Sequence, residues 1–148
     1  DQRDDLFDQI TRTALAWQPA AVDAAEIDRI NILRASLLAM RRAIGALVPL
    51  PGFVLVDGHL TIPDLLIPQR AVIGGDRRST AIAAASIVAK VTRDRWMIQA
   101  HANDPRYGYD KHKGYGTPEH LRAVTEFGYS VLHRRSFRPP SLFDTIDD

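Results

Sequence analysis

The sequence predicts an α/β layer fold. Three observations predict it. Phe53-Val54-Leu55-Val56 is apolar at every position and runs into Asp57-Gly58, the pattern of a central parallel strand covered on both faces. Ala71-Val72-Ile73 repeats the theme ahead of Gly74-Gly75-Asp76. Around these two runs the apolar spacing is helical.

In 4–17, Leu6, Ile10 and Trp17 fall on one helical face with Phe7 beside it, and Pro19 follows. Asp23 and Glu26 have the spacing of a capping box on a short helix. Asn31 can cap a longer one, whose stripe is Ile32, Leu33, Leu37, Met40, Ile44 and Leu47, ended by Pro49 and Pro51. The strand 53–57 comes next. A crossover marked by Pro63 and Pro68 leads to a second strand at about 70–74. A helix over 80–102 follows, then a loop rich in Gly, Tyr and Lys from 103 to 116. Thr117 caps the next helix, with Pro118 at its first position and His120 at its third. Beyond Gly128 the chain is basic, and 139–148 is an acidic tail; 1–138 reads as one domain.

The 148 residues allow one sizeable core, and 45% hydrophobic with 25% charged residues is ordinary for a globular protein. No apolar run approaches the roughly 20 residues of a membrane span. The absence of cysteine removes disulfides and thiolate metal sites and fits a cytoplasmic location. The net charge of +1 hides an asymmetry: 70–138 carries 13 Lys and Arg against 6 Asp and Glu, whereas 1–69 carries 6 against 9. A basic stretch of this kind suits a phosphate-bearing partner, and equally a solvated helix face.

Two aspartates stand out. Asp57 ends the first strand and Asp76 is expected to end the second, 19 residues later. Carboxylates at the carboxyl ends of adjacent parallel strands face one crevice, where hard oxygen donors select Mg²⁺ or Mn²⁺. An Asp before Gly, as at Asp57, also suits a turn. Lys90 and Arg93 share a helix face and can touch phosphates or pair with acids. Asp94 can be an auxiliary acid or a surface partner for Arg95. Tyr115 lies between Gly114 and Gly116, open to a ligand or packed over a sheet edge, and Lys113 is a plausible phosphate contact. His112 reads more readily as a backbone-bonded loop histidine than as a ligand. Of Arg134 and Arg135, at most one faces a substrate while the other braces a carboxylate.

Four words occur in order: Val54-Leu55-Val56-Asp57-Gly58, Gly75 to Asp94, His112-Lys113-Gly114-Tyr115-Gly116-Thr117, and His133-Arg134-Arg135-Ser136-Phe137. Over about residues 1–142 the chain resembles ribonuclease HII. The resemblance implies a ribonuclease H-like fold, a mixed five-stranded sheet whose first three strands form an antiparallel meander. It implies an endoribonuclease that cleaves RNA–DNA hybrids and single ribonucleotides in duplex DNA, in the service of DNA repair. The cut would be two-metal-ion hydrolysis with Mg²⁺ or Mn²⁺, leaving 3′-hydroxyl and 5′-phosphate ends. Asp57 and Asp76 would be catalytic metal ligands. Tyr115 would stack on the deoxyribose after the scissile ribonucleotide, and Lys113, Lys90, Arg93 and Arg135 would contact nucleic acid. The complete protein would be a monomer.

Departures are Gly74, where the family commonly has Lys, and His59, where it often has Asn. The sequence also holds no Asp-Glu dipeptide and no Gly-Arg-Gly, which the family carries on and after its first strand. The resemblance therefore implies a chain lacking the meander and two further metal ligands. Three expectations follow: little turnover by these residues alone, an open edge on strand 53–57, and marginal stability or aggregation. The alternative is a non-catalytic nucleic-acid-binding remnant of the family.

Overall fold

The computed structural model describes residues 1–137, so the acidic tail 139–148 lies outside the described residues. These gather into two compact units: residues 1–22 with 31–92, and Asp23–Ile30 with the chain from Arg93 onward.

The first unit opens with helix α1, Gln2–Thr13. Asp1 caps it by accepting from the Arg3 N–H at 3.1 Å. It stops four residues before Trp17, the expected last member of its apolar face. Thr11 and Thr13 turn their hydroxyls back onto the Phe7 and Gln9 carbonyls, which weakens helix propagation. Trp17 instead lies beyond the helix and meets the Phe7 ring edge-on at 5.8 Å. Phe7 packs with Val88 and Val91 in one small core.

The second helix, α2, spans Ala24–Ile30 and belongs to the second unit; Asp23 accepts from the Glu26 N–H at 2.8 Å, the expected cap. Helix α3, Ile32–Gly45, is capped by Asn31, whose Oδ1 accepts from the Arg34 N–H at 3.0 Å. Its stripe is only partly covered. Leu37 and Ile44 pack on a core of Val54, Val56 and Ile62, while Ile32 and Leu33 are more than half exposed.

Strands β1, Val54–Asp57, and β2, Gln69–Val72, run parallel, with Val54 opposite Gln69 and Asp57 opposite Val72. The Gln69 side chain grips the crossover, its Oε1 accepting from Ile62 N–H and its Nε2 donating to Ile62 O at 2.7 and 2.8 Å. Among the described residues β1 has one strand partner. The expectation of a strand buried on both faces is corrected. Val54 and Val56 are buried, but Phe53 is 56% and Leu55 40% exposed. In a two-stranded sheet only one face of the pleat meets a core, so alternate side chains face solvent.

The second strand also ends earlier than 70–74. Gly74 takes a left-handed conformation at φ 62°, which turns the chain out of the strand and into α4, a single turn over Gly75–Arg78. Helix α5, Thr80–Asn103, matches the expected 80–102; its first half belongs to the first unit and its second half to the second.

The second unit holds two short elements within what reads as a loop: a 3₁₀ turn over Pro105–Tyr107 and α6, Tyr109–His112. Helix α7, Pro118–Phe127, starts as expected, with Thr117 Oγ1 accepting from the His120 N–H at 3.2 Å. Tyr107, Tyr109, Ala123 and Val124 form its core, with Met97 and Ala100 packed against them.

Candidate active site

The first unit carries the carboxylates. Register puts Asp57 at the carboxyl end of β1, and the Gly58 N–H donates to Val72 O at 3.0 Å to close the ladder. The Asp57 Oδ1 accepts from the Gly75 N–H at 2.8 Å. Asp76 does not end β2, as expected from the sequence; it is the second residue of α4, because the Gly74 turn intervenes. The hydrogen bond therefore ties the Asp57 carboxylate to the residue that precedes Asp76. Gly75 fits here because it has no side chain: a Cβ would stand 2.5 Å from Ile82 Cδ1 and 3.2 Å from Asp57 Oδ1. Both aspartates are exposed.

These side chains suit a hard divalent cation in kind, since carboxylates exposed to solvent keep oxygen lone pairs open beyond the one that Gly75 engages. In number they supply only part of a coordination shell. Among the described residues, no group of three or more His, Asp or Glu side chains is placed to hold a metal ion.

The second unit carries the Tyr115 loop. Lys113 sits at φ 52° and Gly114 at φ 83°, and this left-handed pair lifts Tyr115 to 55% exposure. Arg93 serves the loop on two counts: its Nη1 donates to Lys113 O at 2.8 Å, and its guanidinium lies 5.0 Å from the Tyr115 ring centre. The Lys113 ammonium donates to the Asp110 carbonyl within the same loop. Lys90 and Asp94 are half-buried on α5, and Arg135 is exposed.

Behind the loop stand His112, His120 and His133, of which sequence reasoning weighed only His112 as a possible ligand. His112 is indeed backbone-bonded, its Nε2 lying 2.6 Å from Tyr107 O and its Nδ1 accepting from Gly114 N–H at 3.1 Å. Its ring stacks on His120 at 4.3 Å. His120 Nδ1 lies 2.8 Å from Tyr115 O, and His120 Nε2 lies 2.9 Å from His133 Nε2. Burial, with His120 and His112 close by, pushes His133 from 6.5 down to about 4. Burial first, and then His112, also lowers His120, although the Tyr115 carbonyl acts against it. The available signal was density: three of the chain's five histidines fall within 112–133.

The carboxylate that braces the Arg134–Arg135 stretch is Asp28. It accepts from the Arg135 and Ser136 N–H groups at 2.9 Å each and from the Ser136 hydroxyl at 2.5 Å. These bonds, led by the Ser136 hydroxyl, hold Asp28 below the usual carboxylate range. The grip is on the main chain, whereas the Arg134 guanidinium lies 5.1 Å from the Phe137 ring centre.

The family model described as ribonuclease HII matches residues 1–139. Ribonuclease HII of Caldicellulosiruptor saccharolyticus is 50% identical over 136 residues, covering 92% of this chain and 66% of that protein. The Verminephrobacter eiseniae protein of the same name is 51% identical over 138 residues, 93% of this chain and 66% of its own length. For the Xanthomonas campestris pv. campestris (strain B100) ribonuclease HII the figures are 49% over 139 residues, 94% and 58%. The chain thus spans about three fifths to two thirds of the length of these relatives. The crystal structure of ribonuclease H2 from Pyrococcus horikoshii OT3 superposes with a TM-score of 0.73 over 93% of this chain and 72% of that one, at 20% identity. That likeness establishes a ribonuclease H-like α/β fold. Among the described residues no helix is long and apolar enough to cross a membrane.

Proposed function

This chain belongs to the ribonuclease HII family, and from that premise we propose that it acts in metal-dependent endonucleolytic cleavage of RNA in RNA–DNA hybrids and of single ribonucleotides in duplex DNA. The cut falls 5′ to the ribonucleotide and leaves 3′-hydroxyl and 5′-phosphate ends. The observation that carries this reading is the parallel β1–β2 pair, which sets Asp57 at a strand end with its carboxylate tied to the neighbour of Asp76.

Asp57 and Asp76 would hold Mg²⁺ or Mn²⁺ together with further oxygen ligands. When bound, a pair of such ions lowers the pKa of the attacking water and stabilises the leaving oxygen. The chain's own residues orient the rest. The Gly75 N–H fixes one Asp57 oxygen, so the carboxylate presents its remaining lone pairs in a set direction. Tyr115 stacks its exposed ring on the deoxyribose that follows the ribonucleotide. A 2′-hydroxyl would not fit against the ring face, so the residue reads an RNA-to-DNA junction. Arg93, held across the ring, keeps that face presented and adds positive charge beside it. Lys90, Lys113 and Arg135 add to the basic field that draws in phosphates.

A second reading has its own observation. The basic balance of 70–138, 13 Lys and Arg against 6 Asp and Glu, suits a non-catalytic nucleic-acid-binding member of the family. The test is cleavage of a DNA duplex carrying one ribonucleotide, in Mg²⁺ or Mn²⁺, by the polypeptide at the length of its relatives and by the 148 residues alone. The proposal expects junction-specific cutting by the longer form, abolished by Asp57→Asn or Asp76→Asn. Cutting that survives both substitutions would exclude the assignment.

A further inference from the structure

The three histidines behind the Tyr115 loop form a network whose protons are dictated by the backbone. An N–H of the main chain can only donate and a carbonyl can only accept, so each contact fixes one ring nitrogen. Ser130 N–H points at His133 Nδ1 at 2.9 Å, which makes that nitrogen an acceptor and leaves the proton on Nε2. This proton faces His120 Nε2 at 2.9 Å, which must then accept. The His120 proton therefore sits on Nδ1, aimed at Tyr115 O at 2.8 Å. His112 follows the same rule, with Nδ1 accepting from Gly114 N–H and Nε2 donating to Tyr107 O. One neutral tautomer of each ring satisfies every backbone contact and the His120–His133 pair. A further proton on any ring would set two N–H groups head to head: against Ser130 at His133, against His133 at His120, and against Gly114 at His112.

This network holds the backbone on both sides of the Tyr115 side chain. The Tyr115 carbonyl takes the His120 proton and the Thr117 N–H, and the Tyr115 N–H donates to His112 O at 2.9 Å. The Gly114 amide is taken by His112. The Arg93 guanidinium lies over the exposed Tyr115 ring, and these bonds fix the backbone from which that ring projects.

We propose that His112, His120 and His133 are positioning residues for Tyr115, and that selectivity for a ribonucleotide–deoxyribonucleotide junction depends on their remaining a neutral, proton-ordered chain. The proposal rests on the reading of Tyr115 as the sugar-stacking residue. The groups facing the network are Tyr107 from the 3₁₀ turn, Tyr109 from α6, and Tyr129 and Ser130 from the segment after α7; Glu119 of α7 is paired with Lys111. Buried surroundings of this kind disfavour an imidazolium, in keeping with the lowered values of His120 and His133.

The test uses the 148-residue chain and compares its affinity for a junction duplex with that for an all-DNA duplex of the same sequence. His120→Ala is expected to cut the preference for the junction by about 5-fold, the scale of one lost hydrogen bond. Its affinity for plain DNA should hold within about 2-fold. His120→Asn, which keeps a donor near the Nδ1 position, should recover part of the preference. Nitrogen-detected histidine spectra at neutral pH should show the proton on Nε2 of His112 and His133 and on Nδ1 of His120. Preference in the unsubstituted chain should fall as acid titrates the His120 and His133 resonances.

Tyr115→Ala, measured alongside, separates the two ideas. Loss of preference in Tyr115→Ala with full retention in a folded His120→Ala overturns the positioning role and leaves the stacking role standing. Retention in Tyr115→Ala overturns the stacking role, and the selectivity claim here with it. The tautomers are read on the unsubstituted chain, so they decide the matter even where His120→Ala does not fold: any other proton assignment refutes the network.

Discussion

Gly75→Ala gives a sharp test of how the fold sets the carboxylate site. The backbone at Gly75 is ordinary for an L residue, so any cost of a methyl group comes from what it touches. That methyl would stand 2.5 Å from Ile82 Cδ1, 3.3 Å from Ile82 Cγ2 and 3.2 Å from Asp57 Oδ1. Ile82 is 5% exposed and branched at Cβ, so it cannot swing both methyls clear in one rotamer change. Overpacking of this kind costs about 1–3 kcal/mol. The same methyl crowds the carboxylate that the Gly75 N–H holds, so Asp57 shifts as well. Urea unfolding of Gly75→Ala, Ile82→Val and the double variant reads the effect. Ile82→Val removes Cδ1, so the two changes should be less costly together than their separate costs suggest, by about 1 kcal/mol. Strictly additive costs, or an unaltered midpoint in Gly75→Ala, would refute the packing argument.

Other outcomes follow from the same contacts. His133 sits near about 4 when folded against 6.5 ordinarily, so the unfolded chain takes up a proton first as pH falls. Stability should therefore be level above about pH 7 and drop through the window from 6.5 toward 4. The full shift corresponds to roughly 3 kcal/mol, and partial solvent access reduces the expected loss to about 1–2 kcal/mol. Urea midpoints at several pH values measure it, and His133→Gln should flatten the slope. Asp28→Ala leaves the N–H groups of Arg135 and Ser136 without their acceptor and should loosen that segment, read as faster amide exchange there. Tyr115→Ala should lower junction preference more than affinity for plain DNA, and equal losses on both duplexes would remove the stacking role. The 148 residues alone should show little Mg²⁺-dependent turnover on a duplex with one ribonucleotide; robust turnover lost in Asp76→Asn would show that two carboxylates suffice.

Much of this was legible in the sequence wherever a local rule decides. Asn31, Asp23 and Thr117 cap their helices as their spacing predicts, because capping involves only a side chain and an N–H two or three residues on. The long helix was legible for the same reason. Burial of β1 was misread because a four-residue apolar run does not reveal how many faces are covered; that depends on what packs there. Asp76 was placed on a strand end because Ala71-Val72-Ile73 looks extended, and only the left-handed Gly74 moves it onto α4. The histidine network was out of reach of spacing. His120 and His133 come from different segments, and their pairing is a matter of tertiary placement.

The most direct measurement on the central claim, that Asp57 and Asp76 together hold a divalent cation, is Mn²⁺ titration followed by amide NMR. The Gly75 N–H is bonded to Asp57 Oδ1 and adjoins Asp76 in sequence, so it reports on both. The account predicts that low Mn²⁺ broadens the amide signals of Gly58 and Gly75–Arg77 first, that Mg²⁺ competes, and that Asp57→Asn with Asp76→Asn abolishes the effect. Broadening centred elsewhere, or unchanged in the double variant, would contradict it.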